Sequence, residues 1–237
     1  MKKFITRVTS TDMSPHPDAI LFDFDGVIGD TVEDNYLAWR AAFAPYGIVA
    51  ERTECFLLEG KKTAELAATV LERHGLDPAL GPTVGAAKDT HYTAHNRFSF
   101  YPGVLDLIPA LQRSGFKVAV VSGGMRRRLI NAHTEDFLST FDAVVTADEC
   151  SRGKPAPEPF LKAAEKLGVP PERCLVVENA PLGITAAKRA GMRCIAVTSS
   201  LGAEHLGEAD IIVPQVTDIV AHLSLRPQRS PPLDRPQ

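Results

Sequence analysis

Six short stretches of the chain are almost wholly apolar: Ala19–Phe24, Lys117–Val121, Ala143–Thr146, Cys174–Val177, Cys194–Val197 and Ile211–Val213. None shows the apolar–polar alternation of a half-exposed strand, so each is expected to be a strand covered on both faces. Helical spacing appears between the later runs. Phe160, Leu161, Ala164 and Leu167 follow Pro157 and stop at Gly168, which gives a helix a proline start and a glycine end. Strands alternating with helices predict an α/β fold, a Rossmann-like parallel sheet joined by right-handed crossovers.

One interval breaks this rhythm. From Asp34 to Phe98 there is no strand run; Val32, Tyr36, Trp39 and Phe43 mark one helical face, Leu66, Val70 and Leu71 mark another before Gly75, and Asp89–Arg97 suggests a further helix. The expectation is an α-helical cap over residues 34–98, inserted in a core built from residues 19–33 and 99–225, with Tyr101-Pro102-Gly103 marking the return. Residues 1–18 and 226–237 are polar or proline-rich and are expected to be tails.

Composition then narrows the partners. A formal net charge of -3 over 237 residues leaves no basic footprint, so nucleic acid is not an expected partner. No stretch approaches the ~20 apolar residues of a membrane span. Cys55, Cys150, Cys174 and Cys194 form no C-x-x-C pair and are expected to be reduced thiols in a cytoplasmic protein.

The chemistry concentrates where strands end. Asp23 and Asp25 close the first apolar run, and ligands of open α/β sheets bind outside the carboxyl ends of strands. Residues two apart on extended chain point the same way, and Gly26 permits a tight turn after them. Two carboxylates this close repel unless a cation joins them or one is protonated. Ser122-Gly123-Gly124 ends the second run with a hydroxyl and flexible backbone, which suit phosphoryl oxygens. Lys154 sits in Gly153-Lys154-Pro155-Ala156-Pro157, just ahead of a helix whose dipole disfavours a cation. An anionic partner would explain that placement. Glu178-Asn179 closes the fourth run.

In this order, Asp23-Phe24-Asp25-Gly26-Val27, Ser122, Lys154 and Glu178-Asn179 with Pro181-x-Gly183-Ile184 resemble the four motifs of the haloacid dehalogenase superfamily. The likeness is greatest to the subfamily that holds β-phosphoglucomutase and phosphoglycolate-type phosphatases, and it spans residues 19–213. The resemblance implies a phosphatase of small phosphorylated metabolites. Asp23 would be the nucleophile that forms an aspartyl-phosphate, Asp25 the general acid and base, and Ser122 and Lys154 the phosphoryl-binding pair. Magnesium would be held by Asp23, the Asp25 carbonyl, Glu178 and Asn179.

Substrate contacts are expected from Gly26, Asn35, Lys61, Lys62, Gly123 and Arg126, whereas Arg127 and Arg128 are expected to face solvent. The family usually has aspartate where Asn179 stands, so a formal charge is lost from the metal site. The mutase pattern has histidine at the place of Asn35 and arginine at that of Thr63, which ranks a phosphatase above the alternative, a sugar phosphomutase. A catalytically weak or inactive binding protein that keeps the fold is the third reading, motivated by Asn179. Because a dehalogenase lacks the second aspartate, Asp25 argues against that reaction. His91 and His95, four apart, have zinc-compatible spacing but no evident third ligand; Trp39 is expected to pack inside the cap.

Overall fold

The computed structural model describes residues 16–129 and 134–223. Most of the expected tails therefore lies outside the described residues. Six strands, β1 (Ala19–Phe22), β2 (Lys117–Val121), β3 (Ala143–Val145), β4 (Cys174–Glu178), β5 (Arg193–Val197) and β6 (Ile211–Val213), form one parallel sheet in the order β3-β2-β1-β4-β5-β6. The strand order reverses at β1, which pairs Phe22 with Val120 on one side and with Val177 on the other. A crevice opens at such a reversal, outside the carboxyl ends of the strands.

The unbroken apolar runs are explained by the two faces. Leu21, Ala119, Val121, Val176 and Ala196 pack on one side, against Phe160, Ala164 and Leu167 of α8 (Glu158–Leu167) and Ile184 and Ala187 of α9 (Pro181–Arg189). Ile20, Phe22, Val118, Val120, Leu175, Val177 and Ile195 pack on the other, against Val104, Leu107, Ile108 and Leu111 of α5 (Val104–Arg113). Truncating one of these large side chains to alanine would cost about 2–5 kcal/mol.

Between β1 and β2 the chain leaves the sheet at its carboxyl edge and builds four helices: α1 (Val32–Phe43), α2 (Arg52–Leu57), α3 (Thr63–Arg73) and α4 (Gly81–His95). The outgoing and returning chains lie side by side, with Asp30 N bonded to the Ser99 carbonyl at 2.8 Å and Tyr101 N to the Ile28 carbonyl at 3.0 Å. The insert therefore stands over the strand ends.

Two boundaries depart most from expectation, for physical reasons. β1 stops at Phe22, because the chain turns through Gly26, at φ 83, to bring Asp25 back beside Gly29. The expected helix at Asp89–Arg97 is the second half of α4, which begins at Gly81. Glycines at 81 and 85 weaken the helical signal, but they let α4 meet α3 closely: a Cβ on Gly81 would lie 2.6 Å from the Ala64 carbonyl oxygen. Short α6 (Arg126–Leu129) and α7 (Glu135–Ser139) complete the described helices. No helix among the described residues is long and apolar enough to cross a membrane.

Candidate active site

The strand ends bring Asp23, Asp25, Ser122, Lys154, Glu178 and Asn179 together, all buried. Lys154, 1% exposed, is the hub. Its Nζ donates to Asp23 Oδ1 at 2.5 Å, to Glu178 Oε1 at 2.6 Å and to the Val121 carbonyl at 3.2 Å. These bonds give a buried ammonium the partners it must have. Glu178 is held further by the Asn179 and Ala180 N–H groups on Oε2, at 2.8 and 2.9 Å. Ser122 Oγ accepts from Gly124 N at 3.0 Å.

Asp25 sits in a different set of donors. Thr31 Oγ1 and Asn35 Nδ2 reach its Oδ1 at 2.6 and 3.2 Å, and Arg128 clasps both carboxylate oxygens, through Nη1 to Oδ1 at 3.2 Å and through Nη2 to Oδ2. Lys88, buried on α4, donates to Asn35 Oδ1 at 2.6 Å. A chain of contacts thus runs from Lys88 through Asn35 to Asp25.

Charge and burial separate the two aspartates. Burial lifts the Asp23 carboxyl to about 7; Lys154 works against the rise, while Glu178 and Asp25 add to it. Burial also opposes the Asp25 carboxylate, but the charge and hydrogen bonds of Arg128, with Thr31, win and hold it down to about 2. Lys154 is raised above the usual lysine range because Asp23 and Glu178 outweigh its burial. Burial, then Arg128, lowers Lys88 to about 8. Glu59, from the loop after α2, stands well above the usual carboxylate range through burial and the charges of Asp25, Asp23 and Glu178.

The remaining expected contacts fall in different places. Asn35, Lys61 and Gly123 line the same pocket as Asp23 and Asp25, together with Trp39, Glu59, Lys88 and Arg128. Lys61 Nζ bonds to Thr69 Oγ1 at 3.0 Å. Lys62 is turned away from the pocket; its Nζ donates to the Cys150 and Ser151 carbonyls at 2.7 and 3.1 Å. Gly26 makes the turn beneath Asn179, and a Cβ there would lie 2.2 Å from Asn179 Nδ2. Arg126 is exposed, with its N–H on Asp148. Two residues along α6, about half a turn on, Arg128 and not Arg126 faces Asp25, at a position expected to meet solvent. Lys88 and Glu59 escape the sequence reading because no spacing signals that an insert will fold back over a strand end, and Arg128 escapes it because only the turn of α6 selects one arginine of three.

His91 and His95 stack, with ring centroids 4.2 Å apart and His95 Nδ1 on the His91 carbonyl at 2.9 Å. Among the described residues no group of three or more His, Cys, Asp or Glu could hold a metal ion as placed. At the strand ends Lys154 fills the gap between Asp23 and Glu178. A magnesium ion needs fewer carboxylates, because it keeps several waters. The residues fit such an ion on one observation. Asn179 is 0% exposed and its Oδ1 has no hydrogen-bond partner among the described residues, whereas a buried polar oxygen is otherwise almost always satisfied.

Residues 20–197 match the haloacid dehalogenase-like hydrolase family. The chain belongs to that family. Among curated relatives, validoxylamine A 7'-phosphate phosphatase of Streptomyces hygroscopicus subsp. limoneus is 32% identical over 84% of this chain and 94% of its own length. β-Phosphoglucomutase of Bacillus subtilis is 30% identical over 86% and 92% respectively. Of solved structures, a putative β-phosphoglucomutase from Bacteroides vulgatus superposes with a TM-score of 0.77 at 29% identity, covering 88% of this chain and 91% of its own. As a haloacid dehalogenase-like hydrolase with phosphatase relatives, the chain is an enzyme, a phosphoric monoester hydrolase.

Proposed function

We propose that this hydrolase is a magnesium-dependent, cytoplasmic phosphatase that cleaves a small phosphomonoester through an aspartyl-phosphate on Asp23. The observation that carries this reading is the junction of Asp23, Lys154 and Glu178 at the strand edge, with Asp25 two residues on in its own donor shell. Asp23 attacks phosphorus, and the P–O bond to the leaving group breaks. Asp25 gives that oxygen its proton, then takes one from the water that attacks the phosphorus of the aspartyl-phosphate, which releases inorganic phosphate and restores both carboxyls. Ser122 and Lys154 hold the phosphoryl oxygens.

Asp23, the Asp25 carbonyl and Asn179 Oδ1, with Glu178, would hold the magnesium. When bound, it supplies positive charge against the phosphoryl oxygens and the crowded carboxylates. Arg128 gives Asp25 two states. Clasped, Asp25 is a carboxylate; once the guanidinium turns to the arriving phosphate, Thr31 and Asn35 remain and Asp25 can carry a proton. The pocket encloses about 60 Å³, room for a few waters, so the helical insert acts as a lid that must open for substrate.

The test is magnesium-dependent release of phosphate from a generic aryl phosphate and from a panel of phosphorylated sugars, polyols and acids. Release that Asp23→Asn abolishes is expected; no release with any divalent ion would refute the reading. The phosphomutase alternative has a relative of that name behind it. It predicts instead turnover that needs a bisphosphate primer and frees no phosphate.

A further inference from the structure

We infer that Glu59 gives the metal site a carboxylate from the helical insert, in place of the acidic group that Asn179 does not provide, so that the cation is held by both parts of the chain. The inference rests on the metal-dependent reading above. Asn179 Nδ2 donates to Glu59 Oε2 at 3.3 Å and to Ser200 Oγ at 3.0 Å. Those two acceptors fix which end of the amide is nitrogen, and they leave the buried Oδ1 without a partner among the described residues. Asn179 therefore presents an oxygen, and Glu59 lies beside it. Glu59 is linked onward through Asn179 N and Glu178 Oε2, at 2.8 Å, to Glu178 and then by Lys154 to Asp23.

A carboxylate placed against three others in a water-poor pocket is costly unless a cation joins them. Lys154 already serves Asp23 and Glu178, and Arg128 serves Asp25. Among the described residues no ion pair serves Glu59, and a divalent ion held by Asp23 and Asn179 would supply the charge. The loop does not depend on Glu59 for its seat. Lys62 ties it to the Cys150 and Ser151 carbonyls, and the Gly60 carbonyl lies so near Gly123 that a Cβ there would be 2.9 Å from it.

A simple hydrogen-bonded clasp between Glu59 and Asn179 is the competing explanation, and Glu59→Gln separates the two. Glutamine keeps an oxygen for Asn179 Nδ2 but loses the charge. Magnesium binding to the full chain is measured by titration calorimetry at neutral pH, for the wild type, Glu59→Gln, Asn179→Asp and the double variant, with circular dichroism melts to establish folding. Glu59→Gln is expected to weaken magnesium by about 10- to 100-fold, the range for losing a group that supports a metal. Adding Asn179→Asp to it should restore most of that loss. Wild-type magnesium binding left unchanged by Glu59→Gln would overturn the role of Glu59 alone. No magnesium binding by the wild type would overturn the metal-dependent reading as well.

Discussion

Replacing Lys154 with methionine removes one charge and almost no volume, so it isolates what the buried ammonium does. Lys154, Asp23 and Glu178 are 1%, 6% and 1% exposed, and the ammonium lies 2.5 and 2.6 Å from the two carboxylates. Without it, two carboxylates remain beneath the insert with no ammonium between them. Breaking a buried pair by removing one partner typically costs about 3–5 kcal/mol, and methionine fills the stem's space, so little of that is cavity. Urea unfolding followed by circular dichroism, at neutral pH with chelator, should show this loss in Lys154→Met. Lys166, which pairs with Glu149 at the surface, is the control; Lys166→Met should cost about 1 kcal/mol or less. Magnesium should return part of the loss in Lys154→Met. Equal, small losses in both variants would refute the claim that burial makes Lys154 the hub.

Three further outcomes are expected. Lys88 is lowered from 10.5 to about 8; the unfolded chain therefore binds that proton more tightly, and stability rises with pH between those values. Lys88→Met should accordingly be more stable than the wild type near pH 7, by up to about 3 kcal/mol, with the gap closing towards pH 10.5; a gap that does not vary with pH would count against this. Gly26→Ala should lower the melting midpoint, since left-handed backbone costs an L-residue about 1–2 kcal/mol and the new Cβ would meet Asn179 Nδ2 at 2.2 Å; an unchanged midpoint would show that the turn relaxes. Arg128→Gln should raise KM for the phosphomonoester more than it lowers kcat, and steady-state kinetics showing an unaltered KM would remove Arg128 from substrate binding.

The core was legible because two-sided burial writes itself into a strand as an unbroken apolar run, and all six expected runs coincide with strands to within two residues. The strand-end groups were legible for the same reason: where β1 and β4 stop, the next polar residues must lie on the sheet edge. Contacts made by the insert were not. Glu59 and Lys88 reach the pocket from a loop and a helix of weak amphipathicity, and only the packing of insert on core brings them to Arg128 of the short core helix α6. Arg126 and Arg128 are indistinguishable in a run of three arginines until a helix chooses which faces Asp25. Lys62 looked like a substrate contact because its charge was visible, while the carbonyls that take its amine are 88 and 89 residues away.

The covalent role of Asp23 is tested most directly by rapid acid quenching of the magnesium-loaded enzyme with radiolabelled aryl phosphate, followed by borohydride reduction and peptide mapping. The account predicts transient label that hydroxylamine removes, with the reduced residue at position 23 and no label in Asp23→Asn. Full phosphate release from wild type without labelled protein at any time, or label confined to another residue, would contradict it.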